Sequence, residues 1–176
     1  MNTPNFLILA IFSCLFLIFS NQINAESDLI KQVCSQTTNP NFCTTTLVSN
    51  PKAASAADFV SLCKAALEIA IASATDALSY VKNALANNTK PELKNALETC
   101  VEGYDHAQRS FVTSHEEIEE DSLTVNYDAK VAGDGYVSCA EALAKAKVPD
   151  EQISAKNKVG MDIVSIADSA TSKLPN

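Results

Sequence analysis

Apolar residues recur every three or four positions along four long stretches of this 176-residue chain, and that spacing constrains its fold more than any other feature. The first stretch carries Phe59, Leu62, Ala66, Ile69, Ser73, Ala77, Tyr80 and Ala84. Such steps gather side chains on one face of a 3.6-residue helix, whereas a strand needs strict alternation. Ser73 is the small polar member, able to bond back to a carbonyl one turn earlier. The second stripe is Leu93, Leu97, Cys100, Tyr104, Ala107 and Phe111, continuing to Ile118. Thr89, placed before Pro91 and Glu92, reads as its capping box, with the proline in the first turn where a missing N–H costs nothing. Glu116, Glu117, Glu119, Glu120 and Asp121 crowd the far end. Acids there oppose the helix dipole, so the helix is expected to give way to a solvated loop.

A third stripe begins near Ser122 with Val125, Ala129, Ala132, Tyr136, Cys139 and Leu143. Gly133 and Gly135 lie inside it, each costing about 1 kcal/mol relative to alanine. The fourth runs from Pro149 or Asp150 to Lys173, with Val159, Ile163, Ile166 and Ala170. Four one-sided helices with short connections predict an all-α, up-and-down four-helix bundle over residues 55–174. Residues 26–50 form two shorter segments, Ser27–Thr37 and Asn41–Val48, turning at Asn39-Pro40 into a helical hairpin too small to own a core.

The chain opens differently. Phe6 to Phe19 is an uncharged apolar run, short of the roughly 20 residues of a spanning helix. A polar stretch and the small residue Ala25 follow it, the pattern of a secretory signal peptide over residues 1–25. The remainder, Glu26 to Asn176, is then expected to be secreted and free of the membrane.

Charge narrows the choice of partner. Twenty-one acidic side chains stand against 13 basic ones, a net charge of -8. Binding nucleic acid needs a basic surface to displace counterions, so that class is excluded. Two histidines, a single arginine (Arg109) and four glycines offer little for catalysis or phosphate loops. No Gly-x-Ser-x-Gly, His-Glu-x-x-His or paired-carboxylate motif supports an enzyme. His106 and His115 are not at the i, i+4 spacing of a helical metal pair; they read as an exposed and a partly buried residue. The acidic run lacks the turn glycine and alternating ligands of a calcium loop.

Five cysteines follow the leader: Cys34, Cys43, Cys63, Cys100 and Cys139. In an oxidising compartment disulfides are the default. Cys34 and Cys43 flank the hairpin turn. Cys100 and Cys139 fall on the inward stripes of adjacent antiparallel helices and can meet through the core. Position therefore pairs Cys34 with Cys43 and Cys100 with Cys139, leaving Cys63, beside the first stripe, as a free thiol. Asn87-Asn88-Thr89 is a glycosylation sequon in an expected interhelix loop, with Asn87 the candidate acceptor.

A signal peptide, a hairpin closed by cysteines, and a bundle cross-linked between its second and third helices resemble the plant invertase and pectin methylesterase inhibitors. Ile30-Lys31-Gln32-Val33-Cys34, Asn39-Pro40-Asn41-Phe42-Cys43, Leu93 to Ala96 with Cys100, and Tyr104 carry the resemblance, which spans the mature chain. The family's usual free cysteine lies nearer the C-terminus, so Cys63 departs from the pattern. The resemblance implies a secreted inhibitor of the cell wall or vacuole, acting without cofactor or metal by covering its target's active-site cleft in a 1:1 complex.

The family divides by target. Invertase inhibitors often carry Pro-Lys-Phe on the third bundle helix; here Ser122 to Lys130 reads SLTVNYDAK. Its absence favours pectin methylesterase over acid invertase. Around the bridge cysteines, Glu102, Tyr104, Ser138 and Glu141 match the pattern of an esterase interface, while His106 and Arg109 depart from it. A bundle carrying a lipid or small molecule between its helices is the rival from another class, opposed by seams rich in small residues.

Overall fold

The computed structural model describes residues 27–147 and 150–175, so the leader and its proposed cleavage after Ala25 lie outside the described residues. The described chain is helical: α1 (Asp28–Cys34), α2 (Pro40–Ser49), α3 (Pro51–Ala54), α4 (Phe59–Ala86), α5 (Pro91–Glu116), α6 (Ser122–Ala146) and α7 (Glu151–Thr171). None of these helices is long and apolar enough to cross a membrane.

Local chemistry sets most of the helix starts. Ser27, Asn39, Asn50, Asp58, Asp121 and Asp150 each accept a first-turn backbone N–H with a side-chain oxygen. A cap of this kind stabilises by about 1 kcal/mol. At Asp58 the box is reciprocal, because Ser61 Oγ takes the Asp58 N–H in return. α5 differs from the expectation. Its cap position is Lys90, with no side-chain bond, and Thr89 does not cap it. Asn88 holds this turn instead, accepting from Lys90 N at 3.0 Å and donating to Lys90 O at 2.8 Å.

α4 to α7 close into a four-membered ring: α4 packs on α5, α5 on α6, α6 on α7 and α7 on α4, leaving α4 and α6 at diagonal corners. The stripes of α5 and α6 are buried, apart from half-buried Leu93. On α4 the buried strip is shifted toward Cys63, Leu67, Ala70, Ala74 and Val81, so Phe59, Ile69, Ser73, Tyr80 and Ala84 are only half-buried flanks. The carbonyl back-bond expected of Ser73 is made instead by Thr75, to Ile71 O at 2.7 Å. On α7 the expected stripe is wrong at Val159, which is 41% exposed. Ile153, Asn157 and Gly160 hold the inward positions before Ile163, and a polar residue and a glycine concealed them from a hydrophobic pattern.

The hairpin α1–α2, joined by the Cys34–Cys43 bridge, lies along α7. Ser169 Oγ donates to Val33 O at 2.7 Å, Thr38 N to Ser165 Oγ at 3.0 Å, and Asn39 Nδ2 to Asp162 Oδ2 at 3.2 Å. α3 is tied to α4 by Lys52 and Glu68 at 2.7 Å.

Candidate functional site

The seam between α5 and α6 is the most tightly built part of the bundle, and it shapes the face outside it. Cys100 and Cys139 are joined there with their Cα atoms 4.2 Å apart, both fully buried. On the chain-entropy model, closing a loop of about forty residues stabilises by about 4 kcal/mol. One turn away Gly103 faces Gly135. A Cβ on Gly103 would stand 2.3 Å from the Gly135 carbonyl oxygen, and one on Gly135 only 2.0 Å from that of Gly103. The two backbones are in direct contact, and only glycine fits at either position.

Two tyrosines extend the seam. Tyr104 donates its hydroxyl to Asn157 Oδ1 at 2.8 Å, and its ring lies 5.3 Å from that of Tyr136. The Tyr136 ring sits where a Cβ on Gly160 would be, and its hydroxyl is buried without a hydrogen-bond partner. Burial lifts the Tyr136 phenol to about 12, and burial with the neighbouring Tyr136 and Asp150 lifts Tyr104 further. Both phenols therefore stay neutral.

This geometry corrects one expected contact residue. Tyr104 is four residues beyond Cys100, so it shares that residue's inward face, and it is 0% exposed. It is a core residue and no part of an interface. Glu102, Ser138 and Glu141 are exposed on the outer side of α5 and α6. His106 is exposed beside them, and Arg109 is paired with Asp105 at 3.0 Å. The hydrophobic pattern also passed over Leu123, Tyr127 and Val137. They are 73%, 65% and 44% exposed, on the outward side of α6 opposite its buried stripe. Their signal in the sequence was apolar type at positions the stripe leaves out.

The other candidates lie elsewhere. Cys63 is a free thiol, fully buried and not at the edge of the stripe, and burial pushes it up to about 12. Asn87 is exposed at the end of α4. His115 is half-buried at the end of α5. The acidic run forms the turn between α5 and α6, where Lys64 of α4 pairs with Glu119. Glu117 Oε2 is shielded there without a hydrogen bond; desolvation, then the charges of Asp128, Glu120, Asp121 and Glu116, raise its carboxyl above the ordinary range. Asp121 is held low by Thr124 Oγ1 and by the backbone N–H groups of Leu123 and Thr124. Among the described residues no group of three or more His, Cys, Asp or Glu side chains could hold a metal ion.

Comparison with known proteins agrees with this architecture. Pectinesterase inhibitor 2 of Arabidopsis thaliana is 28% identical over 137 residues, covering 77% of this chain and 79% of that protein. The pectinesterase inhibitor of Actinidia deliciosa is 32% identical over 126 residues, covering 68% of this chain and 65% of that protein. In fold, the chain is similar to the crystal structure of mutant form A of a pectin methylesterase inhibitor from Arabidopsis. The TM-score is 0.75 at 24% identity, over 85% of this chain and 99% of that one. The sequence model of the plant invertase/pectin methylesterase inhibitors matches residues 28–169, and the chain belongs to that family.

Proposed function

We propose that this chain is secreted, through a leader ending near Ala25, and inhibits a pectin methylesterase by covering its cleft in a 1:1 complex. The observation that carries the reading is the likeness, across two thirds or more of the chain, to proteins named pectinesterase inhibitors. The face outside the α5–α6 seam supports the mechanism. A disulfide and a glycine contact fix the two helices, so docking orders little that is not already ordered, and less affinity is lost to immobilisation. Glu102, Ser138 and Glu141 supply a polar, acid-leaning centre, and exposed Tyr127 supplies an aromatic side chain of the kind that anchors interfaces, with Leu123 adding apolar area one turn away.

The target binds an anionic polymer, so a basic rim near its cleft would attract an acidic bundle, and association would weaken with salt. The test is a titration of the purified protein against a pectin methylesterase and an acid invertase. The expected result is stoichiometric inhibition of the esterase, with Glu141→Lys slowing association and leaving helicity unchanged. Inhibition of the invertase alone would reject this target, and inhibition of neither would reject the inhibitory reading.

A further inference from the structure

The loop joining α4 to α5 holds a sequence pattern that the inhibitory reading does not use. Asn87, Asn88 and Thr89 form an N-x-T sequon with no proline at its centre, the acceptor pattern for asparagine-linked glycans. Asn87 is exposed at the C-cap of α4. Its carboxamide nitrogen contacts only its own helix end, donating to Asn83 O at 2.8 Å and Asn83 Oδ1 at 2.7 Å. A substituted amide keeps one N–H, so one of these bonds survives modification. Asn88 is occupied by its two bonds with Lys90, which hold the turn open to solvent, and Thr89 is exposed.

Beside the acceptor lies an open groove of about 370 Å³, lined by Leu85 and Pro91, by Lys90, Lys94 and Glu98, and by Asn88 and Thr89. Two apolar side chains among two lysines and an acid, with Lys94 and Glu98 paired at 3.6 Å, match the mixed surface of an N-acetylhexosamine, with C–H faces and hydroxyl edges.

We propose that Asn87 is an N-glycosylation site and that the first sugars of its glycan rest in this groove. The transfer joins Asn87 Nδ2 to the anomeric carbon of a lipid-pyrophosphate-linked oligosaccharide. It breaks the anomeric carbon–oxygen bond to phosphate, releases the lipid pyrophosphate and gives up one amide proton. The inference rests on the secretion reading, because the donor and its transferase belong to the secretory pathway. The acceptor stands at the end of α4, which is diagonal to α6, and at the end of the bundle away from the Glu116–Asp121 turn.

The experiment expresses the full chain in cultured plant cells, once with its own leader and once behind a leader of proven secretory function. Intact mass is measured on the protein recovered from the medium. The expected mass exceeds that of the chain by one oligosaccharide. A peptide:N-glycosidase should remove it and convert Asn87 to Asp, and both Asn87→Gln and Thr89→Ala should abolish it. Secreted protein with unmodified Asn87, or an Asn87→Gln chain that keeps the added mass, would overturn the assignment. If the chain with its own leader stays in the cells while the other is secreted and glycosylated, the secretion reading fails and the site stands.

Discussion

Replacing Gly135 by alanine tests the description of the α5–α6 seam more sharply than any change to its disulfide. In an ordinary helix the substitution stabilises by about 1 kcal/mol. Here the new Cβ would lie 2.0 Å from the Gly103 carbonyl oxygen, and ordinary contact begins near 3.4 Å. The backbones would have to part by about 1.4 Å, one turn from a bridge that holds Cys100 and Cys139 with Cα atoms 4.2 Å apart. Neither colliding atom belongs to a flexible side chain. Overpacking a well-filled core costs about 1–3 kcal/mol, and this case belongs at the upper end. Subtracting the gain in propensity leaves a net loss of about 2 kcal/mol.

For a domain of this size that loss lowers the melting temperature by about 4–8 °C. Gly133 is the internal control, two residues away on the same helix. A Cβ there would meet Val164 Cγ1 at 3.4 Å, an ordinary contact. Gly133→Ala should therefore keep its gain of about 1 kcal/mol and melt about 2–4 °C higher. Both variants are compared with the parent by circular dichroism at 222 nm, in the oxidised state. A Gly135→Ala melt at or above the parent's, or equal losses from the two variants, would refute the backbone contact.

Further outcomes concern the buried thiol and two carboxyls. Cys63, buried and lifted to about 12, should resist alkylation at pH 8–9 in the native protein and react at once in urea; equal rates would place it at the surface. Because the folded state holds this thiol neutral, stability should decline as pH rises past the unfolded thiol value of about 8.5. Cys63→Ser should cost more than Cys63→Ala, since a hydroxyl would be buried there. At the other extreme, Asp121 is held low by the bonds it accepts at the start of α6. Its contribution is present above the unfolded aspartate value of about 3.9 and is lost as pH falls through the lower folded value. Carboxyl NMR titration should find Asp121 protonating below, and Glu117 above, their ordinary ranges; the reverse order would reject the turn geometry.

The helices were legible in the sequence wherever the inward positions are apolar, which is why α6 conforms at every stripe position from Val125 to Leu143. On α7 the apolar pattern points to Val159, whereas Asn157 and Gly160 face inward, the first to meet the Tyr104 hydroxyl and the second to admit the Tyr136 ring. Those requirements come from two other helices, α5 and α6, and leave no periodic trace. The same holds at Gly103 and Gly135: propensity counts a helical glycine as a weakness, and only the partner backbone shows its purpose. Family pattern points Tyr104 to an interface, whereas its i, i+4 relation to Cys100 places it inward, where it is fully buried. At the start of α5, Thr89 and Asn88 both suit the turn by residue type, and only the geometry at Lys90 chooses Asn88.

The glycine contact also bears on how such a bundle can diverge. A seam closed backbone to backbone fixes the spacing of two helices without reference to the residues on their outer surface. Mutation can therefore redraw the exposed strip from Leu123 to Glu141 while the frame beneath stays in register. The fold itself holds at low identity, with a TM-score of 0.75 to a structure 24% identical. In such an arrangement the outer surface can be rewritten one residue at a time while every step along the way still folds.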